Sequence, residues 1–323
     1  MIDPYESREV FFNLSDFSEI FDGIDLLFYG RGPLSSNVYI LNSGRTLIDT
    51  GNSLEILYDL ENHYKGVNVE NVFITHAHMD HIGTLFYIAE RYKPRVYIHE
   101  LEAKVMLYGK VVEDILREMD LEVILLKGNE NIELPDRTLR VLYAPGHTPG
   151  TIMLYDVERG ILFSSDVLFP MIGKHILLTQ PDPVGGNLGE LILSVRYIMR
   201  LKPKAFLPGH LFPVWENASD HAKRTYFELK LQEEKDRNLA LISLGINLAD
   251  IGELDEAITC FETVLKESPG HPGAMFVLAL AYLQKGRIKD SFELLKELEK
   301  NHPDFKEAVE LKKRVEFMLK SCD

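Results

Sequence analysis

Between Ile24 and Asp49 the chain runs "IDLLFYG…NVYILNSGRTLID", with β-branched and aromatic residues alternating with polar ones. A period of two sends successive side chains to opposite faces of a strand, and the Asn-Ser-Gly break supplies turn residues. The stretch predicts strands joined by a hairpin. From Ser53 to Tyr64 the apolar positions shift to helical spacing; Val72 to Thr75 then reads as a buried strand, Ile82 to Arg91 as a helix, and Arg95 to His99 as a strand after Pro94. Leu139 to Phe163 returns to strands, with turns at "PGHTPG" and "VERG". A helix near Leu188 to Leu201 and a strand at Ala205 to Leu207 lead into "PGH". Strands and helices interleaved in this order predict an α/β fold, two mixed sheets covered by helices.

Beyond Trp215 the pattern becomes continuously helical and repeats itself. Gly252 and Gly286, Ala257 and Ser291, Phe261 and Leu295, Leu248 and Tyr282, and Pro269 and Pro303 pair at one spacing, 34 residues. That period, with small and aromatic residues at matching places, resembles the tetratricopeptide repeat, a helix-turn-helix unit. The expected division is residues 1–236 for the mixed domain with a linking helix, and 237–323 for an all-α domain of two repeats, about 238–271 and 272–305, plus a capping helix.

With 35 Lys and Arg against 50 Asp and Glu, the net charge of −15 argues against a broad nucleic-acid surface or an anionic-membrane surface. Only Cys260 and Cys322 are present, so the sequence offers neither a disulfide framework nor a cysteine metal site. The start "MIDPYESREVFF" lacks a basic segment followed by an apolar core, and no apolar run has the length of a membrane span. A cytoplasmic protein is expected.

The chemistry concentrates in "HAHMDHIG", residues 76 to 83, directly after the predicted strand. Imidazole is the commonest transition-metal side-chain ligand and carboxylate joins it readily. His76 and His78, two apart in extended chain, project to one side, while Asp80 and His81 fall where the chain turns into a helix and can face a second ion. Isolated candidates complete the set: His147 in "PGHTPG", Asp166 in "FSSD" and His210 in "LPGH", each in a loop at a strand end. His63, His99, His221, His271 and His302 lack such context and read as surface or packing residues. Lys174 and His175 lie in a Gly/Pro-rich segment that can cover the site, and are candidate substrate contacts.

The motifs "NVYILNSGRTLIDTG", "THAHMDHIG", "APGHTPG", "SSDVLF" and "LPGH", in this order over residues 24 to 215, resemble the metallo-β-lactamase-fold superfamily. The resemblance implies a four-layer αββα arrangement. It also implies His76, His78 and His147 on one metal, Asp80, His81 and His210 on the other, Asp166 bridging both, and Asp49 supporting the metal loop from behind. Two divalent transition-metal ions are expected, zinc first, with manganese and iron compatible with the same ligands. The implied reaction is hydrolysis of a small ester, thioester or phosphodiester by a metal-bridging hydroxide, with Asp80 and Asp166 as catalytic carboxylates.

Fold membership does not choose the substrate. Flavodiiron-type members carry glutamate where this chain has His78, and RNA-processing members need a long insertion between the bridging aspartate and the last histidine, which Asp166 to His210 lacks. Two alternatives stand beside the hydrolase: a mononuclear iron persulfide dioxygenase, and a hydrolase-fold platform acting mainly through protein binding by its repeats. Two repeats leave their ends uncovered, which predicts a protein partner or, first, a homodimer.

Overall fold

The computed structural model describes the chain apart from residues 1–3, 6, 8–9, 30–33, 173–174, 177 and 321–323, and describes 175–176 by their backbone. Residues 1–225 and 226–323 form two compact units. In the first, seven of the described strands make one sheet, in the order Phe11–Asn13, Ile24–Leu27, Val38–Leu41, Thr46–Ile48, Asn71–Ile74, Arg95–His99 and Val123–Leu126. The first four pair antiparallel and the remainder parallel. A second sheet orders Asn131–Glu133, Thr138–Tyr143, Ile152–Asp156, Ile161–Ser165 and Ala205–Pro208, with only the last pair parallel.

The alternation read from the sequence decides how these sheets pack. Tyr39, Leu41, Ile48, Phe73 and Tyr97 of the first sheet share a core with Leu139, Val141, Ile152, Leu154, Phe163 and Leu207 of the second. Their sequence neighbours Val38, Ile40, Leu47, Val72, Ile74, Val96 and Ile98 point the other way, into a core with Ile56, Leu60, Leu85, Ile88 and Leu116 of the covering helices. Both faces of the first sheet are therefore buried, which is why its central strands carry so few polar residues. Each fully buried Leu, Ile or Phe there contributes about 1.5–3 kcal/mol relative to exposure. On the second sheet, Phe206 faces outward and meets the His221 ring at 5.5 Å. Helix, sheet, sheet and helix follow one another as the motifs implied.

Local boundaries differ from the sequence reading in one informative place. The helix expected from Ile82 is two: a single turn, Met79–Ile82, and then Leu85–Tyr92. At Gly83 an added Cβ would lie 2.1 Å from Asn52 Oδ1, so the chain passes too close to its neighbour for any side chain there. Asp80 and His81 thus sit on a separate turn between strand and helix.

In the second unit, five described helices, Arg237–Asp250, Leu254–Glu267, Pro272–Gln284, Ile288–Asn301 and Lys306–Lys320, pack each against the next. Leu254–Glu267 and Ile288–Asn301 repeat the same turn, with Gly252 at φ +85° and Gly286 at φ +76°. Phe261 and Leu295 are both buried, and the small residues opposite allow it: an added Cβ on Gly245 would come within 2.4 Å of the Phe261 ring. Among the described residues no helix is long and apolar enough to cross a membrane.

Candidate metal centre

Every implied ligand is carried at the end of a strand. After Asn71–Ile74 the chain stays extended through His76 to His78, whose carbonyl accepts from His81 N at 2.9 Å and Ile82 N at 3.0 Å, starting the one-turn helix. That change from extended to helical backbone turns His76 and His78 to one side and Asp80 and His81 to the other. His147 lies in the turn after Thr138–Tyr143, Asp166 directly after Ile161–Ser165, and His210 two residues beyond Ala205–Pro208.

The seven residues come together as two groups, His76, His78 and His147, and Asp80, His81, Asp166 and His210, each with potential ligand atoms within 4.8 Å of one another. In the first, His78 Nδ1 lies 3.0 Å from His76 Nε2 and 3.2 Å from His147 Nε2. In the second, Asp80 Oδ2 is 2.9 Å from His210 Nε2 and 3.6 Å from His81 Nε2. Asp166 lies between the groups, with Oδ1 3.4 Å from His81 Nε2 and Oδ2 3.6 Å from His210 Nε2 and 3.8 Å from His147 Nε2. Gly209 makes room for this carboxylate, since a Cβ there would fall 2.1 Å from Asp166 Oδ1.

The outward ring nitrogens fix the inward ones. His78 Nε2 is 2.6 Å from Asp182 Oδ2, His81 Nδ1 is 2.8 Å from Asp49 Oδ2, and His147 Nδ1 is 2.8 Å from the Gln180 carbonyl. Each partner is an acceptor, so in the neutral ring the hydrogen sits outward and the lone pair faces the cluster. Asp49 is itself held by Thr75, accepting from its N–H and its hydroxyl, both at 2.8 Å. His76 Nδ1 faces the hydroxyls of Thr75 and Ser165, each at 3.3 Å.

These contacts bear on whether the residues suit a cation. Lone pairs on His78 Nδ1 and His147 Nε2 face each other at 3.2 Å, an unfavourable pairing unless positive charge lies between them. Nitrogens about 2.0–2.1 Å from a tetrahedral ion are about 3.3 Å apart, close to this spacing. His81 Nε2 and Asp166 Oδ1 are buried and no better paired than with each other, at 3.4 Å, a weak satisfaction for two buried polar atoms. Burial, followed by the charges of His81 and His147, holds the His76 pKa well below the ordinary histidine value, and burial also lowers that of His147. Burial opposes charge on Asp166, but His81, His210 and His147 outweigh it and keep the group a carboxylate. His81 is driven upward in turn, because Asp166 and Asp49 overcome the burial that disfavours its charge. With a cation in place of the proton that Asp166 and Asp49 favour on His81, neutral imidazoles beside ionised carboxylates make the donor set that a divalent transition metal takes.

Two residues that the sequence reading passed over organise the centre. Glu102 is buried, and its Oε1 accepts from Thr148 Oγ1 at 2.7 Å and Gly150 N at 2.8 Å, while Oε2 accepts from Ala77 N at 2.7 Å. It ties the His76–His78 segment to the His147 turn. Asp182 holds the His78 ring, as given above. Nothing in the spacing of "HELEA" marks Glu102, whereas Asp182 belongs to the Gly/Pro-rich segment already suspected of covering the site. Of the contacts expected from that segment, Lys174 lies outside the described residues. His175 is described only by its backbone, in a short hairpin pairing Met171–Ile172 with His175–Ile176.

Comparison with known proteins identifies the family. The metallo-beta-lactamase superfamily profile matches residues 31–210 and a tetratricopeptide-repeat profile matches 248–315. A probable metallo-hydrolase of Bacillus subtilis is 30% identical over 195 residues, covering 55% of this chain and 86% of that protein. An acyl-coenzyme A thioesterase of Homo sapiens is 29% identical over 157 residues, covering 42% of this chain and 54% of that protein. A hydroxyacylglutathione hydrolase of a Synechococcus strain is 33% identical over 127 residues, covering 39% of this chain and 45% of that protein. The chain thus spans about half the length of the last two. Among solved structures, a β-lactamase domain protein from Burkholderia ambifaria superposes with a TM-score of 0.53 at 20% identity, covering 74% of this chain and 79% of that one.

Proposed function

Since the chain belongs to the metallo-beta-lactamase superfamily and is similar to metal-dependent hydrolases within it, we propose that it uses two divalent ions to hydrolyse a small ester or thioester. The observation that carries this reading is the placement of Asp166 between two separate groups of potential ligands, with Oδ1 3.4 Å from His81 Nε2 and Oδ2 3.6 Å from His210 Nε2 and 3.8 Å from His147 Nε2. His76, His78 and His147 would hold one ion, Asp80, His81 and His210 the other, and Asp166 both. Zinc is the first candidate for this nitrogen and oxygen set, with manganese and iron next. When bound, such ions polarise an acyl oxygen and lower the pKa of water from 15.7 to about 7, which makes it a nucleophile at neutral pH.

The chain's own groups prepare that chemistry. With a cation in place of the His81 proton, Asp49, Asp182 and the Gln180 carbonyl would hold three rings in the tautomer that presents a lone pair. Asp166 remains ionised in a buried position, and Asp80, more exposed, is held below the usual carboxylate range: burial opposes its charge, but the His210 contact and the His81 charge outweigh it. Both carboxylates therefore carry charge at neutral pH. The thioester preference rests on the two thioesterase-type relatives. The repeats would carry the protein's contacts with a partner, a second copy of the chain first, because Leu239, Ile246, Phe317 and Met318 remain exposed on this unit. Light scattering of the full chain should give a dimer, and a monomer at micromolar concentration would refute that part.

Elemental analysis together with a substrate panel tests the reaction. An acyl-coenzyme A, a glutathione thioester, a homoserine lactone, a cyclic nucleotide, bis(p-nitrophenyl) phosphate and a cephalosporin cover the hydrolytic classes. Two ions per chain and chelator-sensitive thioester cleavage are expected. One iron per chain, with persulfide-dependent oxygen consumption and no hydrolysis, would replace the hydrolase with a dioxygenase.

A further inference from the structure

The two halves of the centre are supported in different ways. His81 is fully buried, and its partner Asp49 is anchored on the strand-end residue Thr75 by two hydrogen bonds. Support for that half therefore comes from the sheet. The His78 side chain is 31% exposed, and its outward nitrogen is held by Asp182, which lies 104 residues away in a loop. His147 depends on the same loop: the Gln180 carbonyl receives its Nδ1–H, Thr179 Oγ1 lies 3.3 Å from that nitrogen, and Asp182 N donates to the His147 carbonyl at 2.8 Å.

Residues 179 to 182 act as a strap whose C-terminal end is fixed. Gly186 N donates to the Asp182 carbonyl at 2.9 Å, and Asn187 N to the Gly146 carbonyl at 2.9 Å. Asn187 then caps the helix Leu188–Leu201 by accepting from Glu190 N at 3.0 Å. The tight return through Gly186 has no room for a side chain, since a Cβ there would meet Asp182 N at 2.3 Å. The Asp182 carboxylate is thus presented to His78 by its own backbone, with Oδ1 accepting from Val184 N at 2.5 Å and Oδ2 left for the ring.

We propose that Asp182 is the positioning residue of the three-histidine half, and that its loss leaves a chain binding one divalent ion tightly where the intact chain binds two. The inference rests on the two-ion reading above. Its physical basis is that a carboxylate on the outward nitrogen fixes ring orientation and tautomer and raises ligand basicity, an effect typically worth 10–100-fold in metal affinity. The hydrogen bonds of the strap fall on His78 and His147, so the effect belongs to one ion. An exposed Asp–His contact with no such role would contribute little to anything.

Zn²⁺ titration of the metal-stripped full chain, by calorimetry and by equilibrium dialysis with elemental analysis, is the test. Intact protein taking up fewer than two ions would refute the two-ion reading, and the proposal with it. Given two, Asp182→Ala should keep one at unchanged affinity and weaken the other by about 10–100-fold. Asp182→Asn, which keeps the side chain's size and the Val184 contact but loses the charge, should fall between and guards against a misfolded alanine variant. Two unchanged affinities, or equal weakening of both, would overturn the proposal while leaving the two-ion reading intact. In a His78→Ala background the substitution of Asp182 should have no further effect; a full additional loss there would show that the carboxylate acts elsewhere, and would also overturn it.

Discussion

Replacing Glu102 offers the sharpest check on how the two ligand-bearing loops are held together. Its carboxylate receives three donors, Ala77 N, Thr148 Oγ1 and Gly150 N, that come from 25, 46 and 48 positions away in the chain. In Glu102→Ala the Thr148 hydroxyl keeps a partner, Thr151 Oγ1 at 2.6 Å, so two buried backbone N–H groups are left unpaired. An unsatisfied buried donor costs about 1–3 kcal/mol, so the two cost about 2–6 kcal/mol, and the cavity adds to that. Against a typical domain stability of about 5–15 kcal/mol that is a large fraction, which makes the milder Glu102→Gln the companion variant. Glu102→Gln can satisfy Thr148 and Gly150 through its remaining oxygen and turns its amide toward Ala77 N, so about 1.5–3 kcal/mol is expected. The chain's single tryptophan, Trp215, packs among Phe17 and Phe21 in the core between the sheets, and its fluorescence in urea reports on this unit. A loss below about 1 kcal/mol for Glu102→Ala would mean that water or a neighbouring group replaces the carboxylate, and would refute the account of Glu102 as the clamp.

Other substitutions probe separate parts of the structure. Asp166→Ala should abolish turnover and lower metal content while the circular dichroism spectrum stays unchanged; a variant with full activity and two ions would disprove the bridging role. Gly209→Ala places a methyl group 2.1 Å from Asp166 Oδ1 and should also reduce metal content, by elemental analysis, although no ligand has been removed. His99 tests pH dependence away from the metal: its ring stacks on Tyr143 at 4.7 Å, Leu101 N donates to its Nδ1 at 3.2 Å, and burial lowers its pKa. A depressed pKa means the unfolded chain takes up the proton first, so this contribution to stability is present above about pH 6.5 and is lost as pH falls through the folded-state value. His99→Phe, keeping the stack, should flatten the acid side of a stability–pH curve measured by urea unfolding.

What was legible in the sequence had its signal inside one short segment. The ligand cluster, the three turn motifs and the 34-residue repeat are local patterns, and period two separated the inter-sheet core from the helix-facing core at Tyr39 and Ile40. The region from Glu100 to Arg137 went unread although it contains the helix Val112–Glu118 and the strands Val123–Leu126 and Asn131–Glu133. These elements are short, and much of their character comes from what they pack against, which a local window does not see. Glu102 and Asp182 failed for the same reason. Each acts on residues far off in the chain, and an acidic residue beside an ordinary turn has no pattern to distinguish it from a solvated one.

The backbone around the centre explains why so much of the fold is needed for so few proposed ligands. Asp49, Ser165 and Leu211 adopt φ of +57°, +50° and +68°, a left-handed conformation that costs a residue with a side chain about 1–2 kcal/mol. One carries the carboxylate behind His81, one precedes Asp166, and one follows His210. Each is fastened across the structure: Asp49 N donates to the Phe73 carbonyl at 2.8 Å, the Ser165 carbonyl accepts from Gly209 N at 2.8 Å, and the Leu211 carbonyl accepts from Asn37 Nδ2 at 2.7 Å. Strain of this kind persists only where its surroundings over-determine it. Here the surroundings are strand ends from both sheets, so the inter-sheet core that aligns those ends also maintains the unfavourable turns that aim the proposed ligands. A loosening of that core should therefore appear first as a loss of metal affinity, before the sheets themselves come apart.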